Sequence, residues 1–209
     1  MKTVIIDYGS GNLRSAEKST VRAAEGLDME VSVTSSPDEV LNADRVILPG
    51  VGAFADCMTG LTSLSGMRNA LEEVVIEKGR PFLGICVGMQ LLADMGVEHG
   101  TTAGLGWVNG TVEEIDAGPL KVPHMGWNDL IIDQPHPLFD GINTGDHAYF
   151  VHSYHFKASN KKNILAHVDY GGYIGAVVGR DNIVGTQFHP EKSQSVGLRL
   201  IENFLKWSP

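Results

Sequence analysis

Cysteine is scarce in this chain, which has only Cys57 and Cys86 among its 209 residues. Two cysteines are too few for the disulfide framework of a small secreted domain. The first residues, MKTVIIDYG, hold one lysine and a short strand-like run, which is far too short for the apolar region of a secretory signal. We therefore expect a cytoplasmic protein in which a cysteine packs or reacts rather than forming a disulfide.

Basic residues and long apolar runs are also few. The chain has 16 Lys and Arg residues against 25 Asp and Glu residues, a formal net charge of −9, and no basic cluster offers a face for nucleic-acid phosphates. No apolar run approaches the roughly 18 residues of a membrane helix. We therefore expect neither a nucleic-acid partner nor a membrane association. The length fits a single domain spanning residues 1–209.

Short β-branched runs alternate with helical patterns in the first half of the chain. The predicted strands are residues 2–7, 29–34, 45–48 and 81–85, and the predicted helices are residues 13–25, 67–78 and 88–95. This alternation indicates an α/β fold with a mostly parallel, open sheet flanked by helices. Residues 104–187 are strand-rich and contain no clear helix, and residues 196–205 predict a closing helix. We expect the second half to form a strand-rich extension.

The segment LGICVGMQ (residues 83–90) predicts a sharp turn from a strand into a helix at Cys86, with Gly84 and Gly88 on either side. This is the layout of a nucleophile elbow with cysteine in place of serine. The glycines allow the close backbone approach of a strained turn, and a helix N-terminus next to the sulfur favours the thiolate. The alternative is a buried structural cysteine, which is our interpretation of Cys57.

Eight histidines compete for the role of the base, and His189 has the most informative context. Residues 183–188 (IVGTQF) predict a strand, and His189, Pro190 and Glu191 follow at its end. Residues two apart in extended backbone point to the same side, so Glu191 can orient the His189 ring. Sites in parallel sheets collect beyond the carboxyl ends of strands, so we expect Cys86 and His189 to meet. Alone, this segment also fits a polar loop ending an edge strand.

Three histidines lie close together in sequence and suggest a metal site. They are His147, His152 and His155, and the spacing of the last two resembles that of metal ligands on a helix. Residues 148–156, however, predict one strand, in which residues three apart face opposite sides. We therefore expect no metal site.

Five segments carry a family resemblance. GICVGMQ (residues 84–90) and FHPE (188–191) resemble class I, triad-type glutamine amidotransferases. DYGSGNL (7–13), KVPHMGWN (121–128) and YFVHSY (149–154) are similar to segments of the glutaminase subunits of imidazole glycerol phosphate synthases. The resemblance spans nearly the whole chain and implies glutamine hydrolysis without a cofactor. Val87 stands where leucine is commoner in the family, and we expect no effect because its backbone N–H carries the role.

The resemblance also implies roles for individual residues. Cys86 attacks the glutamine carboxamide to form a thioester, His189 transfers protons, and Glu191 orients the His189 ring. The oxyanion hole is implied to consist of the N–H of Val87 and an amide of the PGVG loop (residues 49–52), at Val51 or Gly52, and to be completed by a partner signal. The residues implied to contact glutamine are Gln90, Glu98, Ser153 and Tyr154. Without the resemblance, a backbone cap at Gln90 and a surface charge at Glu98 are equally plausible.

The resemblance further implies a heterodimer with a (β/α)8-barrel cyclase subunit, which uses the ammonia to make imidazole glycerol phosphate and AICAR in histidine biosynthesis. Free ammonia in neutral water is mostly protonated and no longer nucleophilic, so a sheltered passage is needed. The chain has length for the glutaminase alone, and we expect the cyclase on a separate chain. The implied interface residues are Asn12, Met125, Trp127, Asn128, Tyr149 and Lys192. Trp and Tyr are favoured at interfaces, although core packing is an equal alternative for Trp127.

Three other interpretations remain open at the level of sequence. The chain is also compatible with a glutaminase of another pathway, such as pyridoxal phosphate synthesis, which pulldown of a different synthase would identify. A cysteine-elbow peptidase or deglycase would resist labelling of Cys86 by a glutamine-analogue electrophile. A binding module with a relict triad would be unaffected by Cys86→Ala.

Overall fold

The first half of the chain alternates strands and helices, as predicted. The computed structural model describes residues 1–209. Its first four strands are β1 (Lys2–Ile6), β2 (Glu30–Thr34), β3 (Arg45–Gly50) and β4 (Phe82–Cys86). The helices of this half are α1 (Leu13–Ala23), α2 (Pro37–Leu41), α3 (Phe54–Ser63), α4 (Met67–Leu71), which continues as a π-helix (Glu72–Glu77), and α5 (Val87–Gln90).

The second half consists mainly of strands. They are β5 (Met95–Gly96), β6 (Thr102–Ala103), β7 (Gly110–Glu114), β8 (His124–Asp129), β9 (Ile131–Ile132), β10 (His147–His152), β11 (Tyr154–Ala158), β12 (Ile164–Asp169), β13 (Tyr173–Arg180) and β14 (Ile183–Thr186). Three short 3-10 turns occur at Pro137–Phe139, Lys161–Asn163 and Pro190–Lys192, and the chain closes with helix α6 (Gln194–Lys206). The strand-rich extension is therefore confirmed.

The main sheet has eight strands in the order β2-β1-β3-β4-β14-β13-β12-β9. The first five strands are parallel to their neighbours, and β13, β12 and β9 continue the sheet in antiparallel fashion. Every residue of β3, β4 and β14 is buried, as expected for central strands covered on both faces. The predicted α/β fold is confirmed, and β4 and β14, which precede Cys86 and His189, are direct neighbours.

Two smaller sheets lie beside the main one. Strands β10 and β8 form an antiparallel ribbon, and β11, β7, β5 and β6 form a four-stranded sheet. The prediction of one strand over residues 148–156 is wrong, because the chain leaves the ribbon at Ser153 and enters the second sheet at Tyr154. The carbonyl of Ser153 accepts a hydrogen bond from Ile115 N–H at this change of sheet.

The predicted helix over residues 88–95 is also wrong beyond its first turn. Helix α5 ends at Gln90, and the next three carbonyls, of residues 91–93, accept hydrogen bonds from N–H groups of residues 105–108. Those carbonyls therefore pair with a distant segment instead of the following helical turn. The predicted helices at 13–25 and 196–205 are confirmed, with small shifts at their ends. The predicted helix at 67–78 is also present, but its second half is π-helical. Helices α2 and α3 were not predicted. No helix has the length and apolar character needed to cross a membrane.

Candidate active site

Cys86 occupies a strained turn at the carboxyl end of β4. Its φ of 55° and ψ of −112° lie outside the usual regions for a residue with a side chain. A side chain at Gly84 would collide with the Gly88 backbone, and one at Gly88 would collide with the Leu48 carbonyl of the neighbouring strand. Both glycines are therefore required for strand, turn and helix to approach this closely. Because α5 is a single turn, it offers the sulfur much less of a helix dipole than the predicted long helix.

A cleft of about 710 Å³ opens at Cys86. Ten of the sequence-predicted residues line it: Val51, Gly52, Cys86, Val87, Gln90, Glu98, Ser153, Tyr154, His189 and Lys192. They come from the loop after β3, the elbow and its helix α5, the turn between β5 and β6, the junction of β10 and β11, and the segment after β14. The parallel order of β3, β4 and β14 places these strand ends side by side.

His189 is held between the cysteine and a buried carboxylate. Its Nδ1 lies 2.8 Å from Oε1 of Glu191, and the two side chains are only 3% and 2% exposed. The His189 N–H donates to the Tyr149 carbonyl, and the His189 carbonyl accepts from the Ser193 hydroxyl. Both bonds fix the backbone of His189. Its ring therefore faces the cleft, and Glu191 lies on the far side of the ring.

The environment makes His189 a strong proton acceptor. Burial lowers the pKa of His189, but the neighbouring Cys86 sulfur and the hydrogen-bonded Glu191 carboxylate, with the negative charge of both groups, outweigh it and raise the pKa to about 9. A protonated ring beside Cys86 stabilises the anionic sulfur. This arrangement can perform acyl transfer.

Gln187 is a site residue that the sequence analysis did not identify. It is fully buried, and its Nε2 lies 3.8 Å from the sulfur of Cys86. Its Oε1 accepts a hydrogen bond of 3.1 Å from Nε2 of Gln90, which also donates to the Tyr154 carbonyl at 3.0 Å. The sequence offered no local signal for it, because β14 ends at Thr186 and the chain bends at Gln187 and Phe188, so the alternation of a strand does not apply there.

Glu98 has a structural partner within the protein. Its Oε2 accepts a hydrogen bond of 2.7 Å from Phe54 N–H, the first helical residue of α3. The carboxylate thus caps this helix from 44 residues away while lining the cleft. Its other oxygen accepts no hydrogen bond within the protein.

The two predicted loop amides of the oxyanion hole differ in availability. The Val51 N–H donates to the Ser10 hydroxyl at 3.1 Å, and the same hydroxyl donates to the Val51 carbonyl at 2.6 Å. Gly52, with a φ of 100°, has no hydrogen-bond acceptor for its N–H within the protein.

Cys57 is buried, with its sulfur 3.4 Å from both Ser10 Oγ and the Val51 carbonyl.

The predicted interface residues lie partly on one exposed face. Met125 and Trp127 on β8 are 62% and 49% exposed. The Trp127 ring meets the Tyr149 ring edge-on with centroids 5.9 Å apart, and Nζ of Lys192 lies 5.8 Å from the centre of the Tyr149 ring. Asn12 is the residue before α1, and its carbonyl accepts the first helical hydrogen bonds.

Asn128, in contrast, points inward. Its Nδ2 lies 3.2 Å from His124 Nε2 and donates to the Asp169 carbonyl. Two of the three histidines weighed as metal ligands have partners within the protein: His152 bonds His124 and the Tyr154 carbonyl, and His147 pairs with Asp129 at the surface. The third, His155, lies on β11 with its buried Nδ1 unpaired.

Comparisons with known proteins agree with this geometry. A family model described as glutamine amidotransferase class-I matches residues 4–207. Relatives from Rhodospirillum rubrum and Ruegeria pomeroyi, both named imidazole glycerol phosphate synthase subunit HisH, are 59% and 60% identical. Each match covers 100% of this chain and 100% of the relative.

Solved structures show the same fold at low identity. A crystal structure of a glutamine amidotransferase matches with a TM-score of 0.73 and 20% identity over 97% of both chains. A putative GMP synthase subunit from Thermoplasma acidophilum matches with a TM-score of 0.68 and 18% identity, over 99% of this chain and 92% of the other. With the family model covering nearly every residue, the chain belongs to the class-I glutamine amidotransferases.

Proposed function

We propose that this chain is the glutaminase subunit of an imidazole glycerol phosphate synthase and that it passes ammonia to a cyclase subunit. The observation that carries the catalytic part is the buried contact of His189 with Glu191, 2.8 Å long, beside Cys86 in one cleft. The name shared by full-length relatives at 59% and 60% identity supports the pathway assignment.

The reaction follows from the positions of these side chains. The Cys86 sulfur attacks the side-chain carboxamide carbon of glutamine, and the carbonyl electron pair moves onto oxygen. His189 donates its proton to the departing nitrogen, so ammonia leaves as the carbonyl re-forms as a thioester. The neutral ring then takes a proton from water, whose oxygen attacks the thioester carbon and expels the Cys86 sulfur as a thiolate. Glutamate leaves, and the protonated ring and the thiolate of the starting state are restored. Glu191 holds the ring by its Nδ1 throughout.

The tetrahedral oxygen needs hydrogen-bond donors at the elbow. We assign two donors to this oxyanion hole. One is the N–H of Val87, the first residue after the nucleophile, and the other is an amide of the loop, at Val51 or Gly52. The Gly52 N–H is unengaged, whereas the Val51 N–H must first leave the Ser10 hydroxyl. The second donor at Val51 therefore requires a rotation of this loop, which partner binding can supply.

The cleft offers complementary groups for the amino-acid end of glutamine. We assign the free oxygen of Glu98 to the α-ammonium group, and the Ser153 and Tyr154 backbone to the sides of the substrate. Gln90 is 3% exposed, and its amide group already donates to Tyr154 and Gln187, so we assign it to shaping the wall.

The exposed face of β8 is the proposed cyclase contact. Met125 and Trp127 are large apolar side chains left in solvent, and Tyr149 and Lys192 continue the surface from Trp127 to the cleft. Aromatic residues of this kind are enriched where proteins associate. Lys192 lines the cleft and contacts Tyr149, so a partner here would lie beside the chemistry.

The direct test is ammonia release from glutamine by the wild type and Cys86→Ser, each with and without the cyclase and its nucleotide ligand. We expect slow release by the isolated wild type and a rise of about tenfold or more in the complex. Cys86→Ser should release none, while its complex still makes product from added ammonium salt. Equal turnover with and without the cyclase would contradict the proposed partnership, and activity in Cys86→Ser would contradict the proposed nucleophile.

A further inference from the structure

Two buried histidines beside the cleft take no part in the chemistry above. His124 and His152 are 2% and 6% exposed and sit directly opposite each other in the β8–β10 ribbon. His152 lines the cleft and immediately precedes Ser153, where the chain changes sheet. Burying two imidazoles costs free energy unless their nitrogens are hydrogen-bonded.

Every nitrogen of this pair has a partner, and the first contact fixes the protons. His152 Nδ1 lies 2.9 Å from the Tyr154 carbonyl, which can only accept, so Nδ1 carries the hydrogen. In a neutral ring Nε2 is then an acceptor, and His124 Nδ1 at 2.9 Å must donate to it. The remaining nitrogen, His124 Nε2, is consequently an acceptor for Asn128 Nδ2 at 3.2 Å.

The opposite end of the chain of hydrogen bonds gives the same direction independently. The Asn128 Oδ1 accepts from the Asp129 N–H at 2.8 Å, which identifies the other side-chain atom as the NH2 donor. That NH2 group donates its second hydrogen to the Asp169 carbonyl at 3.2 Å. Backbone groups at both ends therefore impose one donor order from Asn128 to His124, His152 and the Tyr154 carbonyl.

The surroundings keep both rings neutral. Burial lowers the pKa of His124 to about 4 and that of His152 to about 3. The His124 ring is also stacked between Phe150 and Tyr170, with centroids 4.7 and 4.0 Å away. The stacking fixes the plane of the ring, and the hydrogen bonds fix which nitrogen donates.

We propose that Asn128, His124 and His152, here called the histidine chain, are positioning residues that hold the Ser153–Tyr154 backbone at the substrate side of the cleft. The Tyr154 carbonyl receives the last hydrogen of the chain and also that of Gln90, which in turn contacts Gln187 next to Cys86. The position of this carbonyl thus sets both the substrate wall and the Gln90 side chain. This role in binding glutamine rests on the proposed glutaminase function.

The proton order can be tested without any activity measurement. In protein labelled with ¹⁵N-histidine, the ring nitrogen shifts distinguish the two neutral tautomers and the cation. We expect His124 and His152 to be neutral and protonated on Nδ1 at pH 7, with His124→Asn and His152→Asn assigning the two signals. A charged ring or an Nε2-protonated ring at either position would overturn the histidine chain, whatever the enzyme's substrate.

The positioning role is tested in the complex with the cyclase. His124→Phe keeps a ring for the stack but removes the donor to His152, whereas His124→Asn keeps a donor at the Nδ1 position. We expect His124→Phe to raise KM for glutamine about five- to tenfold, the loss of about one hydrogen bond, with kcat within about twofold. His124→Asn should recover most of the affinity. His136→Phe, a histidine outside the cleft, is the matched control and should leave KM unchanged.

A purely structural role would lower the melting temperature of His124→Phe without changing KM, and that result would overturn the proposal. If His124→Phe does not fold, His124→Gly takes its place as the variant without a donor. A KM that is raised in His124→Gly and wild-type in His124→Asn would support the proposal. Equal KM values in these two variants would overturn it. Failure of the wild-type complex to hydrolyse glutamine would reject the glutaminase function instead. The tautomer measurement would still test the histidine chain in that case, because it does not depend on activity.

Discussion

The imidazole of His189 lies between two groups that can carry negative charge, the Cys86 sulfur and the Glu191 carboxylate. Burial opposes a charge on the ring, and the two partners favour it. The partners prevail because the Glu191 side chain is 2% exposed and solvent screens its contact with His189 very little. One Glu191 oxygen has no hydrogen-bond partner within the protein, so this carboxylate is directed chiefly at the ring.

Glu191→Gln should make stability less sensitive to alkaline pH. In the wild type the His189 pKa is raised from 6.5 to about 9. The contacts of the charged ring therefore add to the free energy of unfolding, and this contribution is fully present below pH 6.5. It is lost as the pH rises through about 9, because the unfolded chain releases its proton first. We expect the wild type to lose about 1–3 kcal/mol more than Glu191→Gln across this window. Chemical denaturation of both proteins at several pH values measures this difference, and parallel pH curves would contradict it.

Residue-level prediction from sequence succeeded where neighbours along the chain carry the signal. The contact of His189 with Glu191 was predicted from their spacing of two residues, although the expected extended backbone is a 3-10 turn at Pro190–Lys192. The glycines around Cys86 predict the turn at the nucleophile. Gln187 and the capping role of Glu98 were not predicted. Glu98 reaches Phe54 across 44 residues, and Gln187 reaches Cys86 across 101, so neither contact leaves a local pattern.

At the scale of elements, the elbow depends on how closely helix α5 lies against strand β3. The Gly88 backbone packs so near the Leu48 carbonyl that no side chain fits between them. This contact, rather than helix propensity, sets where α5 lies. It also places Val87, whose N–H is a proposed oxyanion donor, directly behind Cys86.

Gly88→Ala should destabilise the protein by about 3 kcal/mol, because the new methyl group overlaps backbone atoms that cannot move independently. Gly172→Ala is the matched control, since a methyl group there meets no atom within 4 Å and its φ is not positive. We expect its effect to stay within about 0.5 kcal/mol. Urea denaturation gives both values. Equal stability of the two variants would show that the elbow tolerates wider spacing.

Element prediction failed where tertiary contacts replaced local ones. Helix α5 stops at Gln90 because the carbonyls of residues 91–93 bind a segment more than ten residues away. Helix α3 was not predicted because Ala53, which precedes it, provides no side-chain cap, and the cap comes from Glu98 instead. The buried strands were predictable because β-branched runs such as that of β1 need no distant partner to be recognised.

At the scale of the whole molecule, the site forms where the main sheet meets the smaller sheets. The ends of β3, β4 and β14 supply the loop, the nucleophile and the base, and the junction of β10 and β11 supplies the opposite wall. Strand β8 has two different faces, with Met125 and Trp127 in solvent on one, and the buried His124 and the half-buried Asn128 on the other. The proposed partner surface and the histidine chain therefore share one strand.

The two cysteines of this protein provide an internal comparison for the central claim, that the Cys86 sulfur is a nucleophile activated by His189. Both are free and buried, but only Cys86 lines the cleft and meets His189. The most direct measurement is peptide-mapping mass spectrometry of the cyclase complex after treatment with a diazoketone analogue of glutamine. We predict a single adduct on Cys86, slowed by glutamine and absent from His189→Ala, with Cys57 unmodified. An adduct on Cys57, or an active complex in which Cys86 stays unmodified, would contradict the account.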